Sequence, residues 1–313
     1  MSRGAIGYVG LLAFGLVAPF FIYPVLVMKI LCFSLFACAF NLLLGYTGLL
    51  SFGHAVFFGS AAYVAGHALK VWQLPPLVGI LMGTLAAVAL GWAIGSLAIR
   101  RQGIYFAMIT LALAQMVYFI FLQAPFTGGE DGLQGLPRGT LFGVLDLADD
   151  MNLYYVVLAI FVGAFWLIQR TIHSPFGQIL KAIRENEPRA VSLGYDVARY
   201  KLLAFVLSAG LAGLAGATKA LVFKFATLTD AHWHMSGEVV LMTLVGGMGT
   251  VFGPLVGASV IVTLQNELAD KVGSLVTVIM GAIFVACVLA FRRGIVGESL
   301  ALWRRMMGQK PRG

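Results

Sequence analysis

Apolar runs of about twenty residues, nearly free of charge, recur along this chain and constrain its fold more than any other feature. A helix of that length spans the roughly 30 Å of hydrocarbon in a bilayer and satisfies its own backbone hydrogen bonds there. No stretch shows the ten-residue alternation of an outer-membrane barrel. The sequence therefore predicts an all-α, polytopic helical bundle of the inner membrane with about 8–10 transmembrane segments. The runs lie at 7–24, 29–46, 52–71, 77–99, 104–123, 153–169, 202–223 and 272–291.

The composition excludes a soluble globular domain, because 60% of the residues are hydrophobic and only 11% are charged. The net charge of +8 comes from basic residues concentrated in particular loops, as is typical of inner-membrane proteins, so nucleic acid is not an expected partner. Cys32, Cys38 and Cys287 fall inside apolar runs, where cysteine acts as a small hydrophobic residue. No C-x-x-C or other metal-ligand spacing occurs, and no metal site is expected.

Two polar loops of opposite charge predict the orientation of the chain. The loop 124–152 is acidic, with Arg138 as its one basic residue, whereas 170–201 is basic. The positive-inside rule assigns the first to the periplasm and the second to the cytoplasm. The rule also places both ends of the chain in the cytoplasm. We expect an uncleaved first span after Arg3. A transmembrane domain at 1–293 is then followed by a basic tail at 294–313.

A further apolar run at 239–264 is broken within "VGGMGTVFGPLVGA" (245–258) by several glycines and Pro254. Two pieces, each too short to cross alone, would form a re-entrant or discontinuous pair, and this restores an even count of crossings. Irregular backbone at membrane depth is tolerated only where protein or a water-filled cavity receives its polar groups, so the break should line a buried interface or a pathway. A flexible loop between two short helices is the alternative.

The stretch "GYTGLLSFGHAVFFGSAAY" (45–63) predicts a second irregular segment, where a helix breaks beside a cavity. After it, small residues at Ala55, Gly59, Ala62 and Gly66 share one helical face that allows close approach of another helix. The alternative is that the glycines only serve packing and that His54 is a neutral, hydrogen-bonded core histidine. The candidate pathway residues are Asn41, Tyr46, Ser51, His54, Thr110 and Gln115. The candidate hinge or close-approach residues are Gly45, Gly48, Gly53, Gly246, Gly247 and Gly249.

The polar segment at about 171–200 has a helical period but is too polar to enter the membrane. Ser174 and Pro175 predict a helix start, and a second short helix runs from Pro188 to Leu193 with Gly194 as its stop. Asp196 is a candidate cap for the next span. The alternative is an amphipathic helix that rests in anionic lipid headgroups through its basic residues.

Five stretches of the chain resemble the permease subunits of branched-chain amino acid ABC importers of the LivM-like type. They are the two glycine-rich stretches quoted above, "RRQGIYFAMITLALAQMVYFIF", "TGGEDGLQGLPR" and "GQILKAIRENEPRAVSLGYDVARYKLLAFVLSAGLAGLAGA". The resemblance covers about 35–293 and implies a second homologous permease subunit, two ABC ATPases that bind ATP and magnesium, a periplasmic binding protein and alternating access. It departs from the family where Pro188 and Arg189 precede Ala190. The residues that it implies for ATPase coupling are Ile183, Arg184, Glu187, Arg189, Ala190, Leu193 and Gly194.

Two other functions compete with that reading. A secondary transporter also uses broken helices, but no Asp or Glu lies inside a predicted span and Lys219 is expected to snorkel at an outer end. A membrane enzyme would need the loop residues Asp230, His232, His234 and Glu238 as metal ligands, in a spacing that fits no zinc signature. The chain has no Gly-Lys dipeptide and so no Walker A loop, which predicts a non-catalytic subunit without a cofactor of its own. Its solute could be a branched-chain or related amino acid, urea, an amide or an aromatic acid.

Overall fold

The computed structural model describes residues 3–141 and 145–275 and the short pieces 278–279, 281–283, 285, 289 and 294–298. The predicted all-α class is confirmed. The helices are α1 Arg3–Val17, α2 Pro24–Thr47, α3 His54–Lys70, α4 Pro76–Ala98, α5 Ile104–Gln123, α6 Asp150–His173, α7 Pro175–Glu185, α8 Glu187–Ser192, α9 Val197–Phe223, α10 Trp233–Gly246 and α11 Gly253–Val272. The strands are β1 Leu133–Gln134, β2 Thr140–Leu141, β3 Leu145–Asp146 and β4 Phe225–Ala226, paired antiparallel as β1 with β4 and β2 with β3. Single 3₁₀ turns occupy Ala18–Phe20, Pro125–Thr127, Gly129–Asp131, Leu228–Asp230 and Gly273–Leu275.

Five of the described helices, α2, α4, α5, α6 and α9, are long and apolar enough to cross a membrane. They correspond to predicted spans, and α3 matches one more with 17 residues. The predicted span 7–24 is only partly matched, because α1 ends at Val17 after 15 residues and Pro24 already begins α2. Nine of the twenty residues of the predicted span 272–291, and most of the basic tail 294–313, lie outside the described residues. The total of about 8–10 segments and the domain limits therefore stay predictions.

The centre of the bundle is formed by α2 and α9, whose most apolar windows are 78% and 83% buried, against 33% for α4 and α5. Small residues allow α9 to approach its neighbours closely. A Cβ at Gly216 would lie 2.0 Å from the carbonyl oxygen of Phe58, and one at Gly213 would lie 2.3 Å from Cβ of Ala87. The apolar surfaces of α4 and α5 face outward, as expected for helices in contact with lipid.

The predicted small face of α3 contacts loop residues at Gly59 and Gly66 and helix α10 at Ala55, whose backbone N–H donates to the hydroxyl of Ser236. A Cβ at Gly59 would lie 2.6 Å from Cβ of Ala231, which follows the turn Leu228–Asp230. Gly66 faces Leu136 of the loop between α5 and α6. Close approach was therefore predicted correctly, but at Gly59 and Gly66 its partner is a loop rather than a helix, because helical spacing alone does not tell which segment fills the space.

The predicted break between α10 and α11 is confirmed at residues 247–252. The expected shortness is right for α10, whose 14 residues extend about 21 Å, and wrong for α11, whose 20 residues extend about 30 Å. The apolar run ends at 264, but α11 continues to Val272 through polar residues. Apolar periodicity marks what a helix buries and does not mark where its backbone ends.

Lys219 does not snorkel to solvent, and this corrects the sequence-based expectation. Its ammonium forms an ion pair with Asp230, with 2.8 and 2.7 Å from Nζ to the two carboxylate oxygens. Both residues are buried, at 5% and 3% exposure. The ammonium also lies 4.4 Å from the ring centroid of Phe225. Asp230 is thus a buried loop residue that pairs with a lysine, because the Leu228–Asp230 turn packs against the end of α9.

Candidate coupling and pathway sites

Residues from distant parts of the chain meet where α2 ends, and we call this place the α2–α7 junction. It comprises Gly45 to Gly48 of α2 and its cap, Arg184 of α7 and the 247–252 break. Gly48 ends α2 in the left-handed conformation, with φ of 77°. The Arg184 guanidinium donates a hydrogen bond to the carbonyl oxygen of Gly45, one of the carbonyls left free at a helix C-terminus. The Arg184 stem lies over Gly48, where a Cβ would come within 3.2 Å of Cγ.

The break is fastened to α2 by the side chain of Asn41. The amide nitrogen of Asn41 donates to the carbonyl oxygen of Thr250, and the backbone N–H of Gly249 donates to its amide oxygen, each at 2.9 Å. The irregular backbone thus receives the polar partner that buried polar groups require. This favours the predicted buried break over a flexible loop.

An open cavity of about 450 Å³ adjoins the junction. The Lys181 ammonium lies 5.7 Å above the ring of Tyr46 on one side of it. Of the predicted pathway residues, the cavity is lined by Tyr46 alone; Asn41 lies one turn away. The lining residues are Gly45, Tyr46, Lys181, Arg184, Glu185 and Gly249.

The other predicted pathway residues are dispersed. His54 is buried and shares a 2.8 Å hydrogen bond with the hydroxyl of Ser208, as the core-histidine interpretation expects. Ser51 is buried and accepts from the N–H of Gly53, while Thr110 donates to Ala107 within its own helix. Gln115 is half-buried on α5. The structure does not bring these side chains together into one site, and their pathway role stays a prediction.

The hinge or close-approach glycines are places of close backbone contact. A Cβ at Gly45 would lie 2.8 Å from the nitrogen of Gly249, and one at Gly53 would lie 2.6 Å from the carbonyl oxygen of Thr110. A Cβ at Gly246 would lie 1.9 Å from the carbonyl oxygen of Gly253. Gly247 and Gly249 have positive φ, at 121° and 77°. Close backbone approach thus describes Gly45, Gly53 and Gly246, and a hinge role for any of the six glycines stays a prediction.

The predicted coupling segment folds as two capped helices. Ser174 caps α7, Asn186 caps α8 and Asp196 caps α9, each through a side-chain oxygen. The second helix begins at Glu187 rather than Pro188 and ends at Ser192, and Gly194 follows with φ of 86°. Pro188 lies in the first turn of α8, where proline is tolerated, so the departure from the family pattern does not prevent a helix.

The predicted coupling residues divide into buried and exposed groups. Ile183 and Ala190 are buried and pack with Val197, so they stabilise the segment itself and offer no surface to a partner. Their role in ATPase coupling stays a prediction and would be indirect. Arg189, Leu193 and Gly194 are exposed, and Leu193 is 68% exposed.

Glu187 joins α8 to the bundle. Its carboxylate accepts from the Lys201 ammonium at 2.7 Å and from the Gln102 side chain at 2.9 Å. Lys201 belongs to the first turns of α9, and Gln102 lies between α4 and α5. Glu187 is therefore an internal anchor in the described chain.

The family comparison matches residues 24–288 to the model described as "Branched-chain amino acid transport system / permease component". That range covers the α2–α7 junction, the break and the α7–α8 segment. This chain belongs to that family. No solved structure matches it.

Named relatives of this permease include LivM, the high-affinity branched-chain amino acid transport system permease protein of Salmonella typhimurium and of Escherichia coli. Each is 28% identical over 82% of this chain and 65% of its own length. The ribose import permease protein RbsC of Bacillus subtilis is 29% identical over 67% of this chain and 65% of its own length. The permease chain thus spans just under two thirds of the length of these relatives.

The metal-site interpretation of residues 230–238 finds no support in the part of the permease that the structure describes. No group of three His, Cys, Asp or Glu side chains there could hold a metal ion. Asp230 is committed to Lys219, and His234 lies 3.6 Å from Glu238 one turn along α10. Burial lowers the pKa of His232, and the neighbouring His234 lowers it further.

Asn41→Asp is expected to loosen the break in this permease. The new carboxylate can still accept from Gly249, but it cannot donate to Thr250 and places negative charge against that carbonyl oxygen. A buried acceptor left without its donor costs about 1–3 kcal/mol. Thermal unfolding of the purified protein should show a lower midpoint, and proteolysis should reach 247–252 sooner. Unchanged midpoint and cleavage would contradict this role of Asn41, and Asn266→Asp, at an exposed position of α11, is the control.

Proposed function

We propose that this chain is the membrane-spanning, non-catalytic permease subunit of an ATP-driven ABC importer. The observation that carries the proposal is the α7–α8 segment, a capped helical pair anchored by Glu187 that leaves Val191 and Leu193 57% and 68% exposed. Apolar side chains held this way at one end of a bundle suit a docking partner. In the proposal that partner is an ATPase, and two such subunits bind the ATP and magnesium.

The remaining partners and the location follow from the same proposal. A second homologous permease subunit completes the pathway, and a periplasmic binding protein delivers the solute. The complex lies in the bacterial inner membrane with both ends of this chain in the cytoplasm, and alternating access moves the solute. The acidic loop at 124–152 then faces the periplasm, at the end opposite α7 and α8.

The proposed solute is a branched-chain or related amino acid, or another small polar solute. Family membership and the two LivM relatives support amino acids. The ribose import relative supports the wider class. Solute binding to the co-purified binding protein would separate these choices.

The proposal is tested by purifying the chain from its native membrane in mild detergent and identifying its companions by mass spectrometry. A second permease and Walker A proteins should accompany it, and uptake by the reconstituted complex should require ATP inside the vesicle. Uptake that continues without ATP and stops when ionophores dissipate the ion gradients would replace the proposal with a secondary transporter. The buried carboxylate of Asp230 makes that second outcome worth measuring.

Gly194→Asp is expected to leave insertion and folding near normal and to abolish most ATP-dependent uptake. Aspartate tolerates the positive φ of this residue better than most side chains, and a Cβ there meets nothing within 4 Å. The substitution adds a charge to the exposed docking surface. Gly135→Asp is a matched control, since Gly135 also has positive φ and open space but lies beside β1. Unimpaired uptake in Gly194→Asp would remove this surface from the coupling assignment.

A further inference from the structure

The side chain of Arg184 extends from α7 to the end of α2, although Arg184 as a whole is exposed. Its guanidinium donates to the carbonyl oxygen of Gly45 on α2. It also lies against the break, because a Cβ at Gly249 would come within 3.3 Å of Nη1. One side chain thus contacts the end of α2 and the break between α10 and α11.

Three glycines make this arrangement fit. Gly48 leaves room for the Arg184 stem and Gly249 leaves room for its guanidinium, while Gly45 allows the break to lie directly on α2. Gly48 and Gly249 also hold left-handed backbone conformations that side chains rarely adopt. The sequence analysis selected these positions as close-approach glycines, and the structure places all three at the α2–α7 junction.

The two parts of the junction are already joined to each other by Asn41, which bonds the backbone of residues 249 and 250. α7 is itself seated tightly on the end of α6, where Gly177 would bring a Cβ within 2.4 Å of the carbonyl oxygens of Thr171 and Ile172. Through Arg184, α7 therefore contacts the end of α2 and the break that precedes α11. In contrast, α8 is bonded to α9 through Glu187 and Lys201.

We propose that Arg184 is a positioning residue that transmits movement of α7 to the end of α2 and to the α10–α11 break. This inference rests on the proposed function for the source of the movement, an ATPase docked on α8. It assigns the guanidinium of Arg184, an exposed residue, to a contact within this chain and leaves Arg189 and Leu193 as the docking residues. The Glu187 anchor provides a separate connection to α9.

The physical link is tested by hydrogen exchange of the chain, with its co-purified subunits, in lipid nanodiscs. Arg184→Met keeps most of the stem and removes the donors, and Arg199→Met is the matched control at an exposed position of α9. Exchange of the amides of Gly48, Leu49 and Gly249 is expected to rise roughly tenfold in Arg184→Met, because a charge-assisted hydrogen bond is lost. Exchange at the β1–β4 pair should not change. Equal exchange at the junction in Arg184→Met and the unmodified protein overturns the link.

Transmission is tested by counting ATP molecules hydrolysed per solute imported in the reconstituted complex. Arg184→Met is expected to raise this ratio several-fold while ATP hydrolysis continues, and Arg184→Lys, which keeps the charge and one donor, is expected to recover part of the loss. A ratio equal to that of the unmodified complex overturns the transmission role. If the unmodified complex imports solute without ATP, the proposed function fails and with it the transmission role, while the exchange measurement still decides whether the link exists.

Discussion

Lys219→Met is expected to lower the free energy of unfolding by about 3–5 kcal/mol, because it leaves the buried Asp230 carboxylate without its cationic partner. Methionine retains a stem of similar length, so the packing against Phe225 is largely preserved. The total stability of a folded protein is only about 5–15 kcal/mol, and the loss should therefore be visible as poor yield and early melting. Denaturant titration of the purified protein in detergent measures it.

The double variant Lys219→Met/Asp230→Asn separates the ion pair from the shape of the site. Asparagine can still accept from the backbone N–H of Thr227, which Asp230 does at 3.2 Å, and no buried charge remains. We expect it to recover most of the stability that Lys219→Met loses. Lys224→Met, five residues further along at an exposed position, should change little. A double variant no more stable than the single one would show that the charges do not compensate each other.

The Lys219–Asp230 pair illustrates what the sequence could not predict. The two residues are separated by the end of α9, β4 and a 3₁₀ turn, and each looked exposed in its own segment. Only the fold of that connection brings the carboxylate under α9. The absence of acidic residues from the apolar runs was read correctly, but a carboxylate can enter the bundle on a loop that packs inward.

Local structure, by contrast, was predicted well where one segment carries the whole signal. The sequence Ser174-Pro175, the stop at Gly194 and the cap at Asp196 each act within a few residues, and all three were confirmed. The break after Gly246 was predicted because glycine and proline interrupt a helix regardless of its neighbours. The limit of α11 was missed because its last turns are polar.

At the α2–α7 junction, too, the sequence predicts individual residues but not the contacts between them. Asn41 was selected from the sequence as a pathway residue, Gly45 and Gly249 as close-approach glycines, and Arg184 as a coupling residue. Their meeting depends on contacts across roughly 140 to 210 positions of the chain, as in the 208-residue separation of Gly249 and Asn41. A single sequence carries no information on such pairing. The sequence does contain two glycine-rich segments, which predict close approach of the backbone but do not identify the segment approached.

Gly257→Ala is expected to force α10 and α11 apart at their crossing, with a cost of about 1–3 kcal/mol or more. A Cβ at Gly257 would lie 1.9 Å from the carbonyl oxygen of Met242 and 2.7 Å from the nitrogen of Gly246. These are backbone atoms, which cannot rotate away as a side chain could. Because the break packs on Asn41 and Arg184, the displacement should also lower solute uptake. Thermal unfolding and uptake by the reconstituted complex measure the two effects.

Gly237→Ala provides the matched control within α10, since a Cβ there meets nothing within 4 Å. Alanine is the better helix former by roughly 0.5–1 kcal/mol, so this variant should be as stable as the unmodified protein or slightly more so. The same Gly→Ala change is thus expected to lower the stability in α11 and to keep or slightly raise it in α10. If Gly257→Ala also proved neutral, α10 and α11 would have to separate by more than an ångström at no cost, and the break could not hold α2 in the fixed position on which transmission through Arg184 depends.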